Sequence, residues 1–176
     1  MGVLVDGYNL LNCGGILVEN RKRYSLEASR LAVVKVVRSL LSEAERSKTT
    51  VVFDGREAPP GLPKQTRVLG IDVRYSPRGE EADDLLERLI EADHAPRQLT
   101  VVSSDHRVQR AARRRRAVAI DSEVWLAERR RQRQDQQDRA DSGLPPEETP
   151  PGGAADFPPE YLKQIQASID PPPPGS

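Results

Sequence analysis

Up to Gln132 the apolar positions follow two patterns, short solid runs and longer stretches with a period of about 3.6 residues. The runs in "GVLVD", "TTVVFDG", "IDVRYS", "QLTVVSSD" and "AVAI" are rich in β-branched residues or alternate, and they predict strands. In "SLEASRLAVVKVVRSLLSEAER" the residues Leu26, Val33, Val37, Leu40 and Ala44 share one face and Ser25 stands as a cap, which predicts one long amphipathic helix. Further helices are predicted from Glu80 through "EEADDLLERLIEA", from about Asp105 to Arg115, and around Trp125. "APPGLPK" is a proline-broken loop. Strands alternating with helices of this length predict βαβ units, and so an α/β fold with a mostly parallel sheet.

The first strand stops on Asp6-Gly7. Asp-Gly between apolar runs is a strong hairpin signal, and the competing reading places Asp6 at the carboxyl end of a central parallel strand, where open α/β sheets bind their ligands. A hairpin would make "YNLLN" the partner strand, but that stretch runs into "CGG" and a long helix rather than a turn-bounded strand. The strand-end reading is therefore preferred.

After Gln132 the composition turns to Pro, Gly, Gln and acid, with too few large apolar residues to offset the entropy of ordering. The expected organisation is a folded domain over 1–132 and a largely disordered acidic tail over 133–176, in which "EYLKQIQASI" has the makings of a short helix. The formal net charge of zero is the sum of a basic domain and an acidic tail. Much of the positive charge is arginine, whose planar fork suits phosphate. The alternative for such charge runs is a merely solvated face. There is one cysteine, Cys13, and no long apolar segment, so neither a disulfide framework nor a membrane span is expected, and a cytoplasmic protein is the simple reading. Cys13, His94 and Trp125 are expected to be structural.

Each of three predicted strands runs into an acid, namely Asp6, Asp54 and Asp105, and Glu80, Glu81, Asp83 and Asp84 open a helix. A parallel sheet brings all of these to one edge, and helical spacing puts Glu80 on the same face as Asp83 and Asp84. Each has a plain alternative: Asp105 as a helix cap, Asp54 as a turn residue, the acidic turn as a partner of the helix dipole, and Asn9 as a loop residue bonding local backbone rather than orienting Asp6 or touching phosphate. Converging carboxylates repel unless protons or cations neutralise them. An all-oxygen set without ligand-spaced histidines favours Mg²⁺ or Mn²⁺, and such ions activate water for attack at phosphorus. Arg107, Arg110, Arg113 and Arg114 follow Asp105 and are placed to bind the phosphates of a strand. GxGxxG and GxxxxGK[ST] phosphate loops are absent, which disfavours small-molecule phosphotransfer.

In order, "VDGYNLL", "VVFDG", "EEADDLLERLIE" and "TVVSSDHRVQRAAR" resemble the signature blocks of the YacP-like NYN-domain family, relatives of PIN-domain ribonucleases, over roughly Met1 to Leu126. The resemblance implies a PIN-like three-layer α/β/α fold and a metal-dependent endoribonuclease, directed in bacterial members at RNA on the ribosome. It implies metal-binding and catalytic roles for Asp6, Asp83, Asp105 and Glu80, with Asp84 beside them. Asn9, Asp54 and Ser104 fall within the matching blocks as residues near substrate. Glu81 stands where threonine is expected, which adds charge without removing a ligand. A catalytically silent RNA- or ribosome-binding module of the same fold is the alternative function.

Overall fold

A central strand flanked on both sides organises the molecule. The computed structural model describes residues 1–13, 26–55 and 64–142. In chain order these form β1 (Gly2–Asp6), α1 (Gly7–Asn12), α2 (Leu26–Leu40), α3 (Glu43–Arg46), β2 (Thr49–Phe53), β3 (Gln65–Val68), β4 (Ile71–Tyr75), α4 (Ala82–Ala92), β5 (Leu99–Val102), α5 (His106–Arg114), β6 (Val118–Ile120) and α6 (Ser122–Asp141). The six strands lie in the order β3-β4-β2-β1-β5-β6, parallel except for β3, which pairs antiparallel with β4 at the edge. The sheet is thus mostly parallel and α/β, as the alternating pattern predicts.

From β1 the chain moves outward to β2, whereas from β5, on the other flank of β1, it moves the opposite way to β6. That reversal makes the carboxyl ends of β1 and β5 the topological switch point of the sheet, where open α/β folds place their ligands. One face of the sheet is covered by α4 and α5, whose Leu86, Ile90, Val108, Ala111 and Ala112 pack with Leu4, Val52 and Val101. The alternate residues Val5, Val51 and Phe53 are fully buried on the opposite face, the side on which α1, α2 and α6 contact one another. Cys13 and Trp125 are buried, in keeping with a structural role, and His94 is exposed.

Several local features depart from the sequence-based expectation. The long helix over 25–46 is two helices. It breaks at Ser42, whose side chain and that of Glu45 form a reciprocal capping box that starts α3. The acidic helix starts at Ala82 rather than Glu80, because Glu81 takes the N-cap position and Asp84 bonds back to its N–H. β3 was not expected from the sequence. α6 continues through position 132 to Asp141. Its polar second half is held by hydrogen bonds within the helix, Gln134 to Asp138 (2.7 Å) and Gln137 to Asp141 (3.3 Å), so it is ordered without burying apolar surface. Ser25, most of the "APPGLPK" loop and the tail from 143, including "EYLKQIQASI", lie outside the described residues.

α5 ends at Arg114, with Arg115 as its cap. The Arg116 N–H bonds to the Arg113 carbonyl (2.9 Å) and the Ala117 N–H to the Ala112 carbonyl (2.9 Å), the paired bonds of a Schellman ending. Its left-handed position, normally glycine's, is occupied by Arg116 at φ 62°. A side chain there costs about 1 kcal/mol of backbone strain.

Candidate active site at the carboxyl edge

Asp6 ends β1, and Gly7 begins α1 immediately. The glycine is required by closeness: a Cβ at Gly7 would lie 2.2 Å from Cε1 of Phe53. The second Asp-Gly pair has the same logic, since a Cβ at Gly55 would lie 2.0 Å from the Ser76 carbonyl oxygen. Both glycines let the chain turn hard against a neighbouring strand at the edge where the acids emerge.

The Asp6 carboxylate is buried and held on three sides. The Asn9 backbone N–H donates to Oδ1 (3.0 Å), the Asn9 side-chain amide to Oδ2 (2.6 Å) and the Ser103 hydroxyl to Oδ2 (3.1 Å). Burial raises the Asp6 pKa above the ordinary value, partly offset by these donors. Asn9 therefore orients Asp6, one of the two functional readings of that residue. The serine that reaches Asp6 is Ser103. Parallel pairing matches Leu4 with Val101 and Val5 with Val102, so the next step sets Asp6 against Ser103. Ser104 instead accepts a hydrogen bond from the Ser122 backbone N–H (3.3 Å).

Asp83, in the first turn of α4, is half-buried, and no hydrogen bond reaches its carboxylate among the described residues. Burial, then the charges of Asp6 and Asp105, push its pKa up to about 6, against a smaller opposing pull from Arg107. Asp105 caps α5, accepting from the N–H groups of Arg107 (2.6 Å) and Val108 (3.2 Å) through a single oxygen, Oδ1. The capping alternative for Asp105 is thus realised and leaves its other oxygen for a ligand. Asp83 is thereby within electrostatic reach of both Asp6 and Asp105.

The other two acids turn away. Glu80 lies before α4, not on its face, and pairs with Arg88. Asp84 pairs with Arg107 (2.6 Å), whose hydrogen bond holds its carboxyl below the ordinary value. Arg107 also binds Glu87 (2.8 Å), so it ties α5 to α4. Arg113 donates to Gln109 (3.2 Å), while Arg110 points to solvent without a partner among the described residues. Asp54 follows β2 at the same edge, and its backbone carbonyl accepts from Arg30 (3.2 Å).

Arg30 was not singled out in the sequence. It is 4% exposed, donates twice to the Tyr8 hydroxyl (3.0 and 2.8 Å), and sits over the rings of Tyr75, Tyr8 and Phe53 at 5.3–6.0 Å. The signal was present, because positions 30, 33, 34 and 37 share one buried helix face.

Among the described residues no three acidic, histidine or cysteine side chains stand close enough together to form a ready-made metal centre. The donors present nevertheless suit a hard cation. Asp83 has unengaged oxygens, and it faces two like charges whose repulsion a divalent ion would relieve.

The mostly parallel six-stranded sheet, with carboxylates at its switch point, is an α/β fold of the PIN-like type. The YacP-like NYN domain matches residues 3–150, and the chain belongs to that family. Among solved structures, it is similar to Rae1 (YacP) from Bacillus subtilis, at 25% identity and a TM-score of 0.56 over 96% of this chain and 94% of that one. A tryptophan-to-leucine variant of the same protein matches at 23% identity and a TM-score of 0.61, over 81% and 83% of the two chains. No curated protein matches. Among the described residues, no helix is long and apolar enough to cross a membrane.

Proposed function

We propose that the protein is an endoribonuclease that cuts single-stranded RNA at the carboxyl edge of its sheet, using Mg²⁺ or Mn²⁺. The observation that carries this reading is Asp83, a half-buried carboxylate without a hydrogen-bond donor, set against Asp6 and Asp105. Asp6, Asp83 and the free oxygen of Asp105 would hold the ion, which when bound supplies an activated water and neutralises charge on the phosphodiester. Asn9 and Ser103 keep Asp6 in one orientation, so the carboxylate meets a cation without first reorganising. Bases of a single strand are accessible, whereas the deep, narrow major groove of an RNA duplex is not. Messenger RNA on the ribosome is the substrate this reading favours, and the cytoplasm its setting. Glu80 and Asp84 support the site from outside, through Arg88 and Arg107, rather than as ligands.

The test is cleavage of a labelled single-stranded RNA by wild type, Asp6→Asn and Asp83→Asn, with Mn²⁺ and with EDTA. Wild type should cut only with metal, and both variants should stay folded and lose cleavage. Full activity in both variants would sink the assignment. RNA binding by wild type with no product at any Mn²⁺ concentration would favour the silent binding module.

A further inference from the structure

Four arginines in succession, Arg113 to Arg116, close α5. The negative end of the helix dipole attracts cations near the last turn, but that attraction does not require one at the left-handed position, where glycine sits without strain. A charged side chain is kept there at a structural cost. Arg114 and Arg116 are exposed, and neither side chain has a hydrogen-bond or ion-pair partner among the described residues. Arg110 lies one helical turn before Arg114 on the same solvent face and is equally unpaired.

This row begins at Asp105, the acid that faces Asp83, and runs away from the carboxyl edge. At the helical rise, Arg110 and Arg114 are about 6 Å apart along the axis, a span comparable with one nucleotide step of an extended single strand. The solvent face of α5 carries no large apolar side chain, so its partner is recognised by charge. Guanidinium forks in a line fit successive phosphates.

We infer that the exposed face of α5 is a track for single-stranded RNA leaving the cleavage site, with Arg110 and Arg114 on successive phosphates and Arg116 holding the strand at the helix end. Arg107 is not part of the track, because α4 engages it, and Arg113 is turned toward Gln109. The choice of RNA rests on the nuclease reading above.

Arg116→Gly separates function from structure, because it removes the charge and relieves the backbone. In the full chain with EDTA, so that nothing is cut, its affinity for a labelled single-stranded RNA of about a dozen nucleotides should fall several-fold at low salt. The slope of log affinity against log salt should drop by about 0.7, the value of one phosphate contact. The unfolding temperature should hold or rise. Arg110→Gln should lower affinity and slope in the same way. Unchanged affinity and slope in both variants would overturn the track while leaving metal-dependent cleavage to be judged by itself. Loss of affinity together with a lower unfolding temperature in Arg116→Gly would make the arginine a support of the helix end, and would also overturn it. Wild type that binds no RNA in EDTA would also overturn the track, while cleavage with Mn²⁺ remains the separate test of the nuclease reading.

Discussion

Replacing Asp83 with asparagine should stabilise the protein at neutral pH while abolishing cleavage. The carboxyl's pKa is raised from 3.8 to about 6 by burial and by Asp6 and Asp105, so the folded state holds this proton more tightly than the unfolded chain does. The sign follows. Below the unfolded value both states are protonated and nothing is lost; stability then falls as pH rises through the interval and stays reduced above pH 6. At 1.36 kcal/mol per unit, a shift of two units corresponds to about 3 kcal/mol. Water at the exposed part of the side chain screens about half of it, leaving about 1–2 kcal/mol. Asparagine keeps the shape without the charge. In a domain of this size each kcal/mol moves Tm by about 3–5 °C. Thermal unfolding of wild type and Asp83→Asn in EDTA, from pH 4 to pH 8, should show the variant ahead by about 3–10 °C near pH 7–8, with the gap closing toward pH 4. A variant no more stable than wild type at pH 8 would refute the assignment of Asp83 as a carboxylate ionised against its surroundings. Adding Mn²⁺ should narrow the gap, because a bound cation relieves in wild type what asparagine relieves in the variant.

Ser103→Ala, which removes a donor to Asp6, should slow cleavage, whereas Ser104→Ala should leave the rate nearly unchanged; equal effects on kcat would contradict the pairing of β1 with β5 described above. Tyr8→Phe takes away the hydroxyl that accepts both Arg30 donors and should cost about 1–3 kcal/mol in urea unfolding; no loss would mean that water replaces it. Gly7→Ala drives a methyl into the Phe53 ring and should leave little folded protein by circular dichroism, with partial recovery in the Gly7→Ala, Phe53→Leu double variant.

The strand ends were legible because β-branched runs stopped on acid, and a parallel sheet collects such ends on one edge. The reciprocal choices within that edge were less so. Ser103 and Ser104 are chemically identical neighbours, and only the register of β1 against β5 decides which reaches Asp6. Glu80 fits the helical spacing of Asp83 and Asp84, but the cap at Glu81 starts the helix after it. β3 is short, polar and on an edge, so neither apolar content nor alternation marked it out. Arg30 occupies a core position with a surface residue type, and identity masked what periodicity showed.

Arg107 has a mechanical consequence. Asp83 and Asp105 sit on the first turns of two helices, like the tips of a pair of jaws, and their repulsion tends to prise those tips apart. The guanidinium that bridges Asp84 and Glu87 works as a tie across the outside of the jaws. The two helices are already packed through Leu86, Ile90, Val108 and Ala111, and this solvent-accessible tie adds to that packing at the tips. Loss of the arginine leaves the repulsion between the tips less opposed, without changing a residue that would hold the proposed cation.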